Sequence, residues 1–203
     1  MTHIHHKTIW ILLVAFVFQL QIVSAATKKN SGAEPAFDKG SNTLGLSIGL
    51  GLDYDDFYGD DVTRMPALNI TFDHGTIANV GPGTIGIGGV YSFKRTTYRY
   101  SNDKYRESWT NNIFGVRGTY HLTILKDKNN KFDPYAGLTL GFRINSYRDT
   151  YYDDKSYNFN YVNGHPIYGV FAGAKYNFKT NFGAFAEVGY DISFLRLGIN
   201  FNF

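Results

Sequence analysis

The residues of this chain best suited to a chemical role are the isolated charged residues within its alternating apolar segments. Glu187 and Arg196 lie in the last two such segments, on either side of a short turn at Asp191 and Ile192. In a hairpin with this two-residue turn, Glu187 lies directly opposite Arg196, and opposite charges on one face of a sheet attract each other. A buried charge also needs such a partner. The sequence therefore predicts an ion pair between Glu187 and Arg196.

Other cations occupy the same kind of position in earlier segments. Lys94, Arg117, Arg143 and Lys175 each fall on the polar side of an alternating stretch. If that side is an interior, these cations need partners too, because a buried charge without one is costly. The sequence predicts a lumen charge network that contains Glu187, Arg196, Arg117, Arg143 and Lys175. Two roles remain open for the network: filling of the interior, or a charged constriction that lines a narrow pore.

A cluster of carboxylates early in the chain is a candidate divalent-cation site. Its members are Asp53, Asp55, Asp56, Asp60 and Asp61. Carboxylate oxygens are ligands for Ca²⁺, but Gly59 does not fall where the EF-hand loop places its glycine. The cluster therefore indicates a solvated acidic loop, with divalent bridging to lipopolysaccharide as the alternative. Neither a protein-bound metal nor any other cofactor is predicted.

The histidines offer the remaining candidates for catalysis. His165 lies near Asp153, Asp154 and Ser156, which are residue types used in acid–base chemistry, but their spacing defines no catalytic arrangement. His121 falls on the polar side of its segment. The sequence therefore predicts that the protein is not an enzyme, and a lipid A-modifying enzyme is a minor alternative.

The elements that must position these residues are strands, because the hydrophobicity alternates with a period of two. From Leu44 to Leu52, every even position is Leu or Ile and every odd position is Gly or Ser. A strand with this pattern has one apolar face. Comparable alternation occurs in eight stretches. These lie within 44–52, 66–73, 83–94, 114–122, 135–145, 168–178, 182–190 and 193–203.

The composition of the two strand faces distinguishes a membrane barrel from a soluble barrel or sandwich. The polar faces consist mostly of Gly, Ser and Asn with sparse long side chains, which suits the narrow interior of an eight-stranded barrel. The apolar faces are bulky and end in Tyr and Phe, as at two membrane interfaces. The predicted fold class is all-β, an eight-stranded antiparallel up-and-down transmembrane β-barrel.

The connections predict the orientation of this barrel. Long polar loops are expected at 53–65, 99–108 and 148–166, with a tight turn at Asp191 and Ile192 on the same side. The opposite side has the shorter connections 73–83, 124–133 and 179–181. Long loops of outer-membrane barrels face outward. Both termini are therefore predicted to be periplasmic.

The N-terminal residues predict export. Lys7 precedes an apolar run from Ile9 to Val23, and Ser24, Ala25 and Ala26 supply a cleavage site for a signal peptide. The chain has no Cys and a formal net charge of +3, which argues against disulfides and against nucleic acid. We predict a signal peptide at 1–26, a periplasmic tail at 27–42 and the outer-membrane β-barrel at 43–203.

The closing strand carries a resemblance to a known family. With its terminal Gly198-Ile199-Asn200-Phe201-Asn202-Phe203, the chain resembles the small, porin-like outer-membrane β-barrels of Gram-negative bacteria of the OmpA, OmpX, OmpW and opacity-protein type. The resemblance implies that Gly198, Phe201 and Phe203 belong to the insertion signal read by the barrel-assembly machinery. It also implies a monomer in contact with outer-membrane lipid and lipopolysaccharide.

Function is expected in the loops. A Tyr-rich loop at 148–166 suits contact with proteins and sugars. The sequence favours a structural or adhesive cell-envelope role, with a surface ligand for the loops. The alternatives are a narrow passive pore for small solutes or ions and, less favoured, a lipid A-modifying enzyme or a component of a secretion apparatus.

Overall fold

The structure is a computed structural model that describes residues 36–51, 61–101, 104–123, 131–151 and 160–203. The predicted signal peptide and most of the predicted tail lie outside these residues. Among the residues described, no helix is long and apolar enough to cross a membrane.

Nine antiparallel strands account for most of the described chain. They are β1 (Asn42–Leu50), β2 (Val62–Arg64), β3 (Ala67–Val80), β4 (Gly83–Tyr100), β5 (Tyr105–Leu122), β6 (Phe132–Asp149), β7 (Tyr161–Lys179), β8 (Phe182–Tyr190) and β9 (Leu195–Asn202). The period of two in the sequence gives these strands their two distinct faces.

The strands close into a ring. Each of β3 to β8 pairs with the next strand along the chain, and β1 pairs with both β3 and β9. The short β2 pairs only with β4, next to the end of β3, so eight strands form the ring and β2 extends it. The predicted eight-stranded antiparallel barrel is confirmed, and closure leaves no free sheet edge around the ring.

The burial of the two faces shows which one points inward. Tyr168 is 81% exposed and Val116 is 62% exposed, whereas Arg117 is 1% exposed and Thr139 is 0% exposed. A continuous apolar outer surface is unstable in water and suits the hydrocarbon of a bilayer. The alternative of a soluble barrel with its apolar face inward is therefore wrong.

The strands differ in length, which makes the barrel asymmetric. β4 to β7 have 18 or 19 residues, whereas β1, β8 and β9 have 8 or 9. The additional residues lie at the end of the barrel opposite Asn42 and Asn202. We call this end the extended end and the other the terminal end.

Several predicted connections are shorter than expected because the strands run further. The segment 73–83 is mostly strand, with two irregularities before a turn at Gly81 and Pro82. Residues 99 and 100 belong to β4, and β5 begins at Tyr105. Polar residues at strand ends suggested loops, but here they continue the ladder beyond the apolar girdle.

Phe194 is misplaced by the sequence pattern. Alternation put it on the same face as Arg196, yet its side chain is 52% exposed and its ring lies 5.5 Å from that of Tyr190. The connection between β8 and β9 spans residues 191–194, so Phe194 precedes the strand and escapes its alternation.

Candidate functional site

The barrel interior concentrates the buried charges of the described chain. The polar strand faces converge there because closure points every second residue inward. The buried charged residues include Asp73, Lys94, Arg117, Asp133, Lys175, Glu187, Asp191 and Arg196. We call the group formed by Asp73, Arg117, Asp133, Lys175, Glu187, Asp191 and Arg196 the lumen network.

Glu187 lies at the centre of the lumen network. It is paired with Arg196 in the β8–β9 register, and Arg196 Nε lies 2.8 Å from Glu187 Oε2. From across the lumen, Arg117 Nη2 donates a hydrogen bond to Glu187 Oε1 at 2.6 Å. The hydroxyl of Tyr135 donates to the same oxygen at 2.7 Å. The structure thus brings the predicted pair together and adds two partners from β5 and β6.

Each arginine of this centre has a second carboxylate. Arg117 Nε lies 3.2 Å from Asp73 Oδ1, and Arg196 Nη2 donates to Asp191 Oδ2 at 3.0 Å. Asp191 Oδ2 also accepts a hydrogen bond of 2.9 Å from the hydroxyl of Thr139. Two carboxylates per guanidinium compensate for its desolvation better than one. The central charges therefore form a chain of alternating sign across the lumen.

A second branch of the lumen network runs toward the terminal end. Lys175 Nζ lies 3.6 Å from Asp73 Oδ2 and 3.9 Å from Asp133 Oδ2. The Oδ atoms of Asp133 also lie 2.9 Å from His121 Nδ1, and Thr119 Oγ1 lies 3.1 Å from His121 Nε2. Lys175 and Asp73 thus join the His121–Asp133 pair to the central arginines.

Aromatic rings separate and shield these charges. Arg117 lies over the ring of Phe171 at 4.3 Å, and Arg196 lies 5.2 Å from the same ring centroid. A Cβ at Gly137 would lie 2.6 Å from Phe171 Cζ, so the ring reaches this position because residue 137 has no side chain. Each cation–π contact contributes about 2 kcal/mol when desolvated.

Phe37 fills the lumen at the terminal end. Its side chain is 2% exposed, and its ring stacks on His121 with a centroid separation of 3.7 Å. Lys175 Nζ lies 5.0 Å from the ring centre. The segment between Phe37 and β1 is held against β3 by two backbone hydrogen bonds, from the amide of Gly40 to Gly75 and from the amide of Gly75 to Ser41. The stretch predicted as part of a polar tail therefore packs its one Phe inside the barrel.

Of the predicted network, Arg143 is the member that lies apart from these contacts. It is in register with Ile113 and His165, further toward the extended end than Arg117, and it is half-buried. Lys94 is buried at a comparable level, in register with Asn111.

Sequence reasoning missed most of the carboxylates that complete the network. Asp133 and Asp191 fell in segments assigned to turns, and Asp73 stood at the boundary of one. His121 was placed on the inner face but without a partner, and Phe37 was not expected inside. The period of two already places Asp73 on the polar face of its strand, but it does not indicate which cations this carboxylate meets, and nothing in the local pattern indicates the insertion of Phe37.

The other predicted sites are only partly described. Asp53, Asp55, Asp56 and Asp60 lie outside the described residues, and Asp61 is exposed beside β2. Asp153, Asp154 and Ser156 also lie outside them, while His165 lies within β7 and not on a loop. The described residues contain no group of three or more His, Cys, Asp or Glu side chains placed to hold a metal.

The predicted insertion-signal residues lie at the end of the closing strand. Gly198 and Phe201 belong to β9, and Phe201 and Phe203 are both 39% exposed. A Cβ at Gly198 would lie 2.3 Å from the carbonyl oxygen of Leu46, so this glycine allows the close approach of β9 to β1.

Aromatic residues line the inner side of the extended end. The rings of Tyr147 and Tyr161 stack at 5.0 Å, and Trp109 lies 5.3 Å from Tyr147. Nearby, Tyr100 Oη donates a hydrogen bond to Asp149 at 2.9 Å. Of the other aromatics of the predicted Tyr-rich loop, Tyr152, Tyr157 and Phe159 lie outside the described residues.

Two titrating groups at the extended end have perturbed acidities. Burial, followed by repulsion from Asp149, raises the pKa of Glu107, which faces Asp149 across β5 and β6. Burial also raises the pKa of Tyr100, and its hydrogen bond to the carboxylate of Asp149 acts in the same direction. A carboxylate at a facing position disfavours the ionised form of Glu107 because the two charges have the same sign.

Comparison with known proteins identifies the fold. No protein-family model matches the chain, and no curated protein matches it in sequence. Among solved structures it is similar to Ail, the attachment invasion locus protein of Yersinia pestis, in complex with the heparin analogue sucrose octasulfate. The identity is 14%, the match covers 81% of this chain and 99% of that chain, and the TM-score is 0.50.

A second similar structure is the N-terminal β-barrel domain of Pseudomonas aeruginosa OprF. There the identity is 13%, the match covers 81% of this chain and 98% of that chain, and the TM-score is 0.48. At these identities the comparison with Ail establishes a shared fold. The predicted resemblance to eight-stranded outer-membrane β-barrels is thus confirmed at the level of the fold.

Proposed function

We propose that this chain is an integral outer-membrane protein whose lumen is closed and which acts through its extended end, in a structural or adhesive role. The premise is its fold, that of an eight-stranded outer-membrane β-barrel. Residues 1–26 act as the signal peptide in this proposal, and the barrel-assembly machinery inserts the chain as a monomer. Both termini then lie in the periplasm, and the extended end faces outward.

The observation that carries the proposal is the contrast between the two surfaces of the ring. The outward side chains form an apolar girdle, in which Val170 is 66% exposed, while the charged side chains of the lumen network are buried inside. Exposed apolar area of this extent around a whole ring favours insertion into hydrocarbon. Insertion also accommodates the difference in length between β4–β7 and the shorter strands, because the longer strands continue beyond the bilayer.

The lumen contacts support a closed barrel over a pore. Arg117, Glu187 and Arg196 bridge the interior from three strands, and Phe171 packs against both arginines. Phe37 occupies the terminal end. An eight-stranded barrel has an interior just wide enough for its side chains. A solute would have to break ion pairs that are nearly inaccessible to water, so conduction is unfavourable.

The extended end supports a contact role. Tyr, Trp and Arg side chains are over-represented in binding surfaces because they combine apolar area with hydrogen bonding. Such residues meet here on strands that are rigidly paired, as in the Tyr147–Tyr161 stack. Ail, which shares the fold, is the attachment invasion locus protein of Yersinia pestis and was solved in complex with a heparin analogue. A surface ligand for the extended end of this chain is proposed on these grounds.

Planar-bilayer recording with the refolded protein tests closure. We expect no unitary conductance steps from the wild-type chain. Phe37→Ala combined with Glu187→Ala serves as the positive comparison, because it removes both the plug and the central carboxylate. Steps in the wild type that change on substitution of Arg117 would favour the narrow pore instead.

Whole-cell binding with loop deletions tests the contact role. The structure places residues 149 and 161 in strands, so removing 152–159 shortens the loop without cutting β6 or β7. We expect this deletion to lower adhesion to extracellular-matrix or glycan-coated surfaces, and a deletion of 125–129 at the terminal end to leave it unchanged. Equal adhesion of both variants and the wild type would contradict the role. If the protein is not an enzyme, lipid A should be unaltered in cells that express the wild type and in cells that express His165→Ala.

A further inference from the structure

The inner faces of β6 and β7 carry three rows of aromatic and polar side chains at the extended end. In the register of these two strands, each row is one facing pair. The pairs are Tyr147 with Tyr161, Asn145 with Asn163, and Arg143 with His165. Because every second residue of a strand lies on the same face, successive rows are about 6.6 Å apart along the strands. We call these six residues the inner wall.

The inner wall is accessible to solvent, in contrast to the lumen network. β8 pairs with β7 only as far as Val170, so the part of β7 that carries the inner wall extends beyond this neighbour. Tyr161 is 47% exposed, and Asn163 and His165 are exposed as well. The three facing residues on β6 are half-buried. A small ligand can therefore reach the inner wall from the extended end.

An apolar cluster closes the lumen below the inner wall. Val90, Ile113 and Ile192 are buried together, and Ile167 packs against them. Ile167 is the next inward residue after His165 on β7. A ligand on the inner wall is thus stopped at this level and kept away from the buried ion pairs. The inner wall and this apolar floor together form a site that is open on one side only.

The outermost row provides a flat aromatic surface. The rings of Tyr147 and Tyr161 stack with a centroid separation of 5.0 Å and an interplanar angle of 20°. Trp109 lies 5.3 Å from Tyr147 and supports the stack from β5. Aromatic side chains held in this way lose little conformational freedom on binding. Their apolar faces suit the C–H face of a sugar ring, and the phenol hydroxyl of Tyr161 adds a hydrogen-bonding group.

The middle row provides hydrogen-bonding groups for hydroxyls. A carboxamide has two N–H donors and one carbonyl acceptor, and each sugar hydroxyl can both donate and accept. Asn145 Nδ2 donates to Asn111 Oδ1 at 3.1 Å, which orients Asn145 along the row. Asn163 is exposed beside it on β7. The two amides thus lie where hydroxyls of a ring stacked on the tyrosines would meet them.

The third row provides a group for a carboxylate. A guanidinium binds a carboxylate through two parallel N–H donors, and an imidazole N–H adds a further donor. Arg143 also interacts with other groups of the chain, and its five N–H donors allow a carboxylate to bind beside those contacts. None of the six residues of the inner wall is Asp or Glu. An acidic group is therefore the match for this row.

We propose that the inner wall binds a carboxylated sugar unit of a surface glycan. The ring stacks on Tyr147 and Tyr161, its hydroxyls bond to Asn163, and its carboxylate lies on Arg143 and His165. This inference rests on the proposed function, because it requires the extended end to face outward, and it names the class of ligand. The size of the site favours a sugar over a protein, since a protein interface needs about 800 Å² and roughly 20–30 residues on each partner.

Isothermal titration calorimetry with the full chain refolded in detergent micelles tests the proposal. The probes are oligosaccharides that end in sialic or uronic acid, the methyl ester of each, and the neutral parent sugars. We expect one carboxylated sugar per barrel. The methyl esters are expected to bind about tenfold more weakly, because the ester keeps the shape of the sugar but loses the charge-assisted contact.

Variants of the inner wall separate its rows. Arg143→Gln is expected to weaken binding of the carboxylated probe about tenfold and to leave the methyl ester unchanged. Tyr161→Ala should weaken both probes by a similar factor, whereas Tyr161→Phe, which keeps the ring, should retain most of the binding. Arg148→Gln is the matched control, because Arg148 lies on the opposite face of the same strand, and it should bind as the wild type does.

Several results would overturn the site. Heat-modifiable gel mobility first shows that each variant folds, and His165→Gln, at an exposed position, replaces Arg143→Gln if the latter does not. Equal binding of the carboxylated probe and its ester would remove the assigned role of Arg143. Asp153 and Asp154 lie outside the described residues, so deletion of 152–159 is a further arm. Binding lost on this deletion but unchanged in the Arg143 and Tyr161 variants would place the ligand on the connection instead.

The failure of this inference is distinguishable from the failure of the proposed function. Adhesion of whole cells that falls on deletion of 152–159, with no binding of any carboxylated probe by the purified chain, would overturn the site alone. Adhesion that persists after enzymatic removal of glycans from the surface would also overturn it, because the partner is then a protein. Equal adhesion of the deletion variants and the wild type would contradict the proposed function instead.

Discussion

Neutralising Glu187 is expected to destabilise the barrel strongly and in a manner coupled to Arg196. The Glu187→Gln side chain keeps the volume but removes the charge that both Arg117 and Arg196 contact at 2.6 and 2.8 Å. The side chains of all three residues are 1% exposed, so water cannot replace the lost partner. Removing one member of a buried ion pair costs about 3–5 kcal/mol.

The structure also bounds the coupling between the two residues. Arg196 keeps Asp191 at 3.0 Å, Arg117 keeps Asp73 at 3.2 Å, and part of each charge therefore remains compensated. We expect the double variant Glu187→Gln with Arg196→Gln to be more stable than the sum of the single losses by about 2 kcal/mol, within the range for contacting residues. That difference corresponds to roughly a 30-fold change in the unfolding equilibrium.

Unfolding by guanidinium in detergent micelles measures this cycle. Trp109, which is 6% exposed, reports by fluorescence on loss of the barrel. Asn42→Ala combined with Glu187→Gln is the control cycle, because Asn42 contacts His74 at the rim and is expected to add independently. Additive losses for Glu187 and Arg196 would refute the coupling, and losses below about 1 kcal/mol for Glu187→Gln would refute the assignment of an essential buried pair.

Three further outcomes follow from the contacts at the two ends of the barrel and in the closing strand. Phe37→Ala is expected to lower the free energy of unfolding by about 3 kcal/mol and to expose His121 to diethyl pyrocarbonate, detected by mass spectrometry; continued protection of His121 would contradict the plug. Because the pKa of Glu107 in the folded chain lies above its usual value of 4.5, the stabilisation present below pH 4.5 is lost as the pH rises through the raised pKa. Hydrogen exchange at the β4–β5 hairpin should therefore accelerate with pH beyond the intrinsic rate, and Glu107→Gln should remove the excess. Gly198→Ala is expected to lower the free energy of unfolding by about 1–3 kcal/mol, even when the protein is refolded without cellular machinery, because the added Cβ would meet Leu46 and Phe185. An unchanged denaturation midpoint would mean that Gly198 contributes only to the insertion signal.

Much of the fold is predictable from the sequence because strand alternation is a local property. The run at Leu44 to Ile48 already separates outward Leu and Ile from inward Gly and Ser, and the structure keeps that division. The pairing of Glu187 with Arg196 was also predictable, because a short connection fixes the register of a hairpin. The strand ends were not, since the ladder continues past the girdle into polar residues such as Tyr100.

The candidate site is only partly predictable, because alternation is a local property. The odd or even position of a residue in its strand identified the inward cations, but Asp133 and Asp191 were missed because their segments were assigned as turns. Asp73 faces two different cations only because β5 and β7 lie on either side of the same lumen. Parity gives the face of a residue and says nothing about which of the other inward residues it meets.

The amino-acid order by itself thus determined the strands, their two faces and the chain-neighbour pairing, all of which depend on residues a few positions apart. The tertiary structure decided that Arg117 meets Glu187 across the lumen and that Phe37 seals the terminal end. These juxtapositions depend on the closure and stagger of the ring, which bring together residues far apart in the chain at distances that no local pattern encodes.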